Sequence, residues 1–160
     1  VGEIYTILEP YVNLDIEKHL GRLGVEVNRS IYLSEWVNDH LFLGLARMRS
    51  GKEARKFASP YLRHFVGGHG QETVGSTVRY AHEGYHGVIQ LAPLTCMPEI
   101  VAQSILPVVS EKESIPVMTI YLDEQSGEAG LLTRLEAFID LLYRKTDWKK
   151  EKESESLSRY

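Results

Sequence analysis

Cysteine is almost missing from this chain: Cys96 is the only one in 160 residues. A single thiol excludes an internal disulfide. It also excludes a metal or cluster site built from this chain's cysteines alone, since such sites take about four ligands. With no disulfide to form, a reducing cytoplasm is the expected location. Long apolar runs are absent too, and none approaches the ~20 residues that span a bilayer. Positive charge is not in excess, because the formal net charge is −4. Neither a nucleic-acid backbone nor a membrane is therefore expected as a partner. No GxxxxGK[ST] loop, no nucleophile elbow and no HExxH pair occurs, so P-loop, serine-hydrolase and zincin readings have no motif to stand on. The chain opens without a methionine on the strand-like Val1-Gly2-Glu3-Ile4-Tyr5-Thr6. It is expected to be a fragment of a longer protein.

What is present is ordinary for a folded domain, with 43% apolar and 25% charged residues. The most informative stretch is Gly87–Glu99. Val88, Ile89 and Leu91 read as a buried strand, and Pro93 ends it. Pro98 suits the first turn of a helix, with Glu99 favoured by the helix dipole. Cys96 thus falls between a strand end and a helix start, where ligands bind in open α/β sheets and where a thiolate is stabilised. The alternative is a small packed apolar side chain.

The remaining pattern predicts strands at Val1–Leu8, at Val25–Val27 with Ile31–Leu33, and at Ile115–Leu122. It predicts helices from Asn13 to Gly21, Asn38 to Arg49, Lys52 to Ala58, Ser59 to Phe65, Glu72 to Glu83, Met97 to Leu106 (ended by Pro107) and Gly130 to Tyr143. Strands alternating with helices imply a three-layer, Rossmann- or flavodoxin-like α/β domain with a mostly parallel four-stranded sheet, in the order 2-1-3-4. The domain is expected over residues 1–147, with 148–160 as a solvated charged tail.

Strand ends would gather Tyr5, Thr6, Glu9, Ser34, Glu35, Thr95, Cys96, Asp123 and Glu124, with Arg134 available for an anion. Gly67-Gly68-His69-Gly70 could cradle a phosphate at a helix N-terminus or serve as a glycine-capped hinge. Among the six histidines only His69 lies in such a loop. Asp123-Glu124 could bind a cation or cap a turn.

Several of these pieces together resemble one family. They are Gly2-Glu3-Ile4-Tyr5-Thr6, Gly68-His69-Gly70-Gln71-Glu72-Thr73, Gly87-Val88-Ile89, Cys96-Met97-Pro98-Glu99, Ile115-Pro116-Val117, Asp123-Glu124 and Thr133-Arg134-Leu135-Glu136-Ala137-Phe138. This combination resembles the C-terminal domain of the 2-hydroxyacyl-CoA (2-hydroxyglutaryl-CoA) dehydratase family, in the variant found in CoA-substrate-specific enzyme activase-related proteins. The resemblance covers the chain to about residue 143.

It implies a Rossmann-like domain that contributes one cysteine, matched by Cys96, to a [4Fe–4S] cluster in the full-length protein. The other cysteines would come from upstream domains, and the isolated fragment would hold no cluster. The implied partners are those domains, an ATP-dependent activator that delivers one electron, and an acyl-CoA. The implied activity is a dehydratase-like lyase or a related reductase, inactive in the fragment. Thr95 and Glu99 would be close neighbours of the cluster, and Gly68, His69 and Gly70 a cofactor-facing loop. The alternative is a non-catalytic docking module in which Cys96 is a packed thiol.

Overall fold

The computed structural model describes residues 1–32 and 50–157, without the side chains of 50–52 and 147–157. In chain order the described elements are α1 (Ile4–Leu8), α2 (Ile16–Arg22), α3 (Ser50–Ala58), α4 (Gly70–His82), β1 (Val88–Pro93), α5 (Met97–Lys112), β2 (Val117–Leu122) and α6 (Glu128–Leu157). The predicted helix Asn38–Arg49 and residues Leu33, Ser34 and Glu35 lie outside the described residues.

β1 and β2 pair in parallel, with Val88 opposite Val117 and Gln90 opposite Thr119. On its other side β1 meets the first residues of the chain through a single parallel bridge between Gly2 and Leu91. Leu91 N–H donates to the Val1 carbonyl at 2.9 Å, and Glu3 N–H donates to the Leu91 carbonyl at 3.0 Å. Gly2 has φ +132°, and a Cβ there would sit 1.9 Å from the Leu91 oxygen, so only glycine allows this approach.

The expected four-stranded, three-layer Rossmann-like sheet is not what forms. Among the described residues there is one two-stranded parallel sheet amid helices. The predicted first strand fails because Ile4, Ile7 and Leu8 fit a helical stripe as well as a strand, an ambiguity of short apolar runs. Glu3 resolves it: its carboxylate accepts from Thr6 N–H at 3.0 Å and caps α1. Val25–Val27 forms no strand; Val25 N–H returns to the Leu20 carbonyl at 3.0 Å, closing α2. Asn13, expected to start a helix, instead donates its amide to the Thr6 and Ile7 carbonyls, ending α1.

Ser59 to Phe65 carries turns and no helix. Pro107 does not stop α5, which continues to Lys112. Burial of Leu106 and Val109 on either side of it holds the helix together, against a cost of about 3 kcal/mol for an interior proline. α6 also runs past Tyr143, to Leu157. No described helix is long and apolar enough to cross a membrane.

Among the described residues three apolar clusters form, the smallest of them Tyr80, Val88 and Ile115. Leu91, Ile120 and Leu122 pack with Ile7, Ile16, Leu20, Leu131, Leu135, Phe138 and Ile139 from α1, α2 and α6. A second cluster joins Ala58, Val74, Val78, Ala102 and Val109 of α3, α4 and α5. Successive strand residues face opposite ways, so Gln90 points away from Leu91 and toward α5, where its amide meets Glu99. Gln90 has no exposed surface at all.

Candidate functional site

β1 ends at Pro93, and three residues carry the chain into α5. Leu94 N–H still reaches the Leu122 carbonyl at 3.1 Å, and Cys96 N–H closes back on the Pro93 carbonyl at 3.1 Å. Closing so tight a turn puts Thr95 at φ +114°. A β-branched residue there is strained, and strain of this kind costs about 1–3 kcal/mol. Cys96 is the N-cap of α5, yet its side chain makes no capping hydrogen bond. The thiol is half-buried and free. Around it Leu94 is 52% exposed and Met97 67%.

The glycine loop lies directly on this turn. Cβ atoms at Gly68 and Gly70 would approach Pro98, at 3.2 Å from its ring and 2.3 Å from its carbonyl oxygen respectively. The two stretches singled out in the sequence therefore meet, with the N-termini of α4 and α5 side by side. His69 is the N-cap of α4 but does not cap it through its side chain. Its Nδ1 lies 3.1 Å from Glu72 Oε2, and Arg55 donates to Glu72 Oε1 at 2.8 Å. The bond to Glu72 holds the His69 imidazole above its ordinary pKa, against burial. Burial pushes the Glu72 carboxyl up, but His69 and Arg55 outweigh it, and the net is below the usual carboxylate range.

Glu99 is not an open neighbour of the thiol. It is 1% exposed and turns inward. Its carboxyl accepts from the Thr73 hydroxyl at 3.0 and 3.1 Å and from Gln90 Nε2 at 2.8 Å. The same Gln90 amide donates to the Glu99 carbonyl at 3.0 Å, and Gln90 Oε1 accepts from the Thr119 hydroxyl at 2.8 Å. Burial raises the Glu99 carboxyl above its ordinary pKa, offset in part by the bonds from Gln90 and Thr73. Thr73, Gln90 and Thr119 were not singled out from the sequence. Gln90 carried a usable signal, being a polar residue amid Val88, Ile89 and Leu91.

Of the other strand-end candidates, Thr6 is buried and donates to the Glu3 and Leu91 carbonyls. Tyr5 is exposed, and Glu9 accepts from Tyr11 N–H. Asp123 caps its own turn, accepting from Gln125 N–H and the Ser126 hydroxyl. Arg134 is spent on the Thr119 carbonyl at 2.7 Å. A crevice beyond β2 is lined by Tyr11, Asp15, Glu124 and the pair His19–Glu128, at 3.2 Å. Among the described residues no three His, Cys, Asp or Glu side chains are grouped to hold a metal ion. No family model, curated protein or solved structure matches the chain.

Proposed function

We propose that this chain is a domain of an iron–sulfur protein of the 2-hydroxyacyl-CoA dehydratase type, with Cys96 as one ligand of a [4Fe–4S] cluster. One observation carries the reading. The sole thiol sits half-buried at the N-cap of a 16-residue helix, without a capping hydrogen bond, at the carboxyl end of β1. A helix N-terminus presents its dipole and free N–H groups toward an anionic group placed there, as a cluster would be. The chain's one thiol would supply one of the four ligands. The remaining thiolates belong to upstream domains of the same protein.

Such a cluster would supply one-electron chemistry, and the partners this reading implies are an ATP-dependent activator and an acyl-CoA. This chain's part is local. Cys96 holds one iron, Thr95 forms the rim, and Gly68 and Gly70 bring backbone close to the site. His69, paired with Glu72, sets an imidazole on the same loop. Glu99, buried, tunes the surroundings from behind without ligating. Such a protein works in the reducing cytoplasm.

The exposed Leu94 and Met97 favour a second reading, in which this face docks a partner domain and holds no iron. Iron and sulfide content of the longer protein, prepared anaerobically beside its Cys96→Ala variant, decides between them. Loss of about four irons in the variant supports the cluster. Equal content in both, or none in either, overturns it in favour of docking.

A further inference from the structure

We propose that Glu99 is the positioning residue for Cys96, anchoring the first turn of α5 to α4 and to both strands through a buried hydrogen-bond relay. Cys96 and Glu99 have the N-cap-to-N3 spacing of a capping box, in which the glutamate would reach back to the N-cap N–H. That box is not made. Cys96 N–H goes to Pro93, and the Glu99 carboxyl goes inward to Thr73 and Gln90. Neither Cys96 nor Glu99 thus caps the N-terminus of α5 through its side chain.

The relay grips Glu99 twice. The Gln90 amide holds the side chain at 2.8 Å and the main-chain carbonyl at 3.0 Å, while Thr119 fixes the other end of Gln90. A residue three positions from the thiol is therefore tied to α4, β1 and β2 at once. Apolar packing alone would fill this place at lower cost, because a buried carboxyl must recover its lost hydration through hydrogen bonds. Fully satisfied polar networks of this kind select one arrangement over near alternatives. Here the arrangement selected is the one that keeps Thr95 strained at φ +114° and Cys96 presented. The functional importance of that presentation rests on the reading of Cys96 as the working thiolate.

The test needs no iron, so it can succeed or fail independently of the cluster reading. Because Cys96 is the chain's only cysteine, iodoacetamide reports on it alone. Alkylation rates at fixed pH, well below melting, are compared for the wild type, Glu99→Leu, Glu99→Gln and Val109→Ala. Val109 is fully buried late in α5 and serves as a control for general destabilisation.

Glu99→Leu is expected to speed alkylation about fivefold or more, the scale of a ~1 kcal/mol change in opening. Glu99→Gln, which can keep the hydrogen bonds, and Val109→Ala are expected to stay within about twofold. If Glu99→Leu does not fold, Thr73→Val removes the hydroxyl from the relay and takes its place. A wild-type rate in the anchor-breaking variant overturns the proposal. So does an equal acceleration in Val109→Ala, or a Glu99→Gln rate as fast as Glu99→Leu, which would make charge and not anchoring the cause.

Discussion

At the end of β2, Asp123 accepts from Gln125 N–H at 3.0 Å and from the Ser126 hydroxyl at 2.8 Å, and its own N–H donates to Ser126 Oγ at 2.9 Å. At the end of β1, the N-cap side chain of Cys96 makes no capping hydrogen bond, Thr95 is strained, and the Glu99 carboxyl faces the interior. Both strands lead directly into helices, so connectivity does not distinguish them. The polar groups after β2 are consumed by the turn itself, leaving that corner as structure. The corner after β1 is held from outside, by the glycine loop pressed on Pro98 and by the relay beneath Glu99. Its own side chains are left for other work.

The comparison breaks most severely at Gly70. A methyl group there would lie 2.3 Å from the Pro98 carbonyl oxygen. Gly70→Ala is expected to lose about 3 kcal/mol in urea unfolding, because main chain must move to admit it. A loss under about 1 kcal/mol would show that the loop does not press on the turn as described.

Thr95→Gly sharpens the contrast in the opposite direction. Glycine accepts positive φ, so stability should rise by about 1 kcal/mol as strain is relieved, net of the entropy glycine adds to the unfolded chain. Iron retention in the longer protein should fall, and a variant both more stable and equally loaded would detach the strain from the site. Asp123→Ala should cost about 0.5–1 kcal/mol, the worth of an exposed turn bond or two, and leave Cys96 alkylation unchanged.

The smallest effect is one of pH. His69 has a raised pKa in the fold, so its pairing with Glu72 is fully present below the ordinary imidazole value of about 6.5. That contribution is lost as pH rises through the higher folded value. Its share is a few tenths of a kcal/mol, as for partly exposed pairs. His69→Gln should remove that part of the slope between neutral and alkaline pH in thermal melts.

Much of the segment from Gly70 to Leu122 was legible in the sequence, because each element there has one dominant signal. Val88, Ile89 and Leu91 are apolar, Pro98 marks a helix start, and β-branched Val117, Thr119 and Ile120 mark β2. The first 32 residues were not, since Ile4–Leu8 satisfies two periodicities and the capping carboxylate of Glu3 decides between them. A four-stranded sheet needs strands at Val1–Leu8 and at Val25–Val27 with Ile31–Leu33, and neither Val1–Leu8 nor Val25–Val27 forms one. At the site, the meeting of the glycine loop with the Cys96 turn was invisible, because it depends on how α4 and α5 pack. The inward turn of Glu99 was hidden for the same reason: its partners Thr73 and Gln90 lie 26 and 9 residues away.

The pairing of Val1–Glu3 with β1 bears on the order of folding. The Val1 nitrogen bonds the Ile89 carbonyl across 88 residues, whereas β1 and β2 are joined by α5 alone. Contacts of short sequence separation form first, and those that close long loops form late. The β1–α5–β2 unit, with the Cys96 turn inside it, should therefore assemble before the Val1–Glu3 segment bridges to β1. Pulse-labelled hydrogen exchange can follow this sequence of events. The amides of Val88 and Leu94, bonded to Pro116 and Leu122, should gain protection ahead of Leu91, bonded to Val1. Simultaneous protection would instead mean that the turn is shaped only when the Val1–Glu3 segment docks.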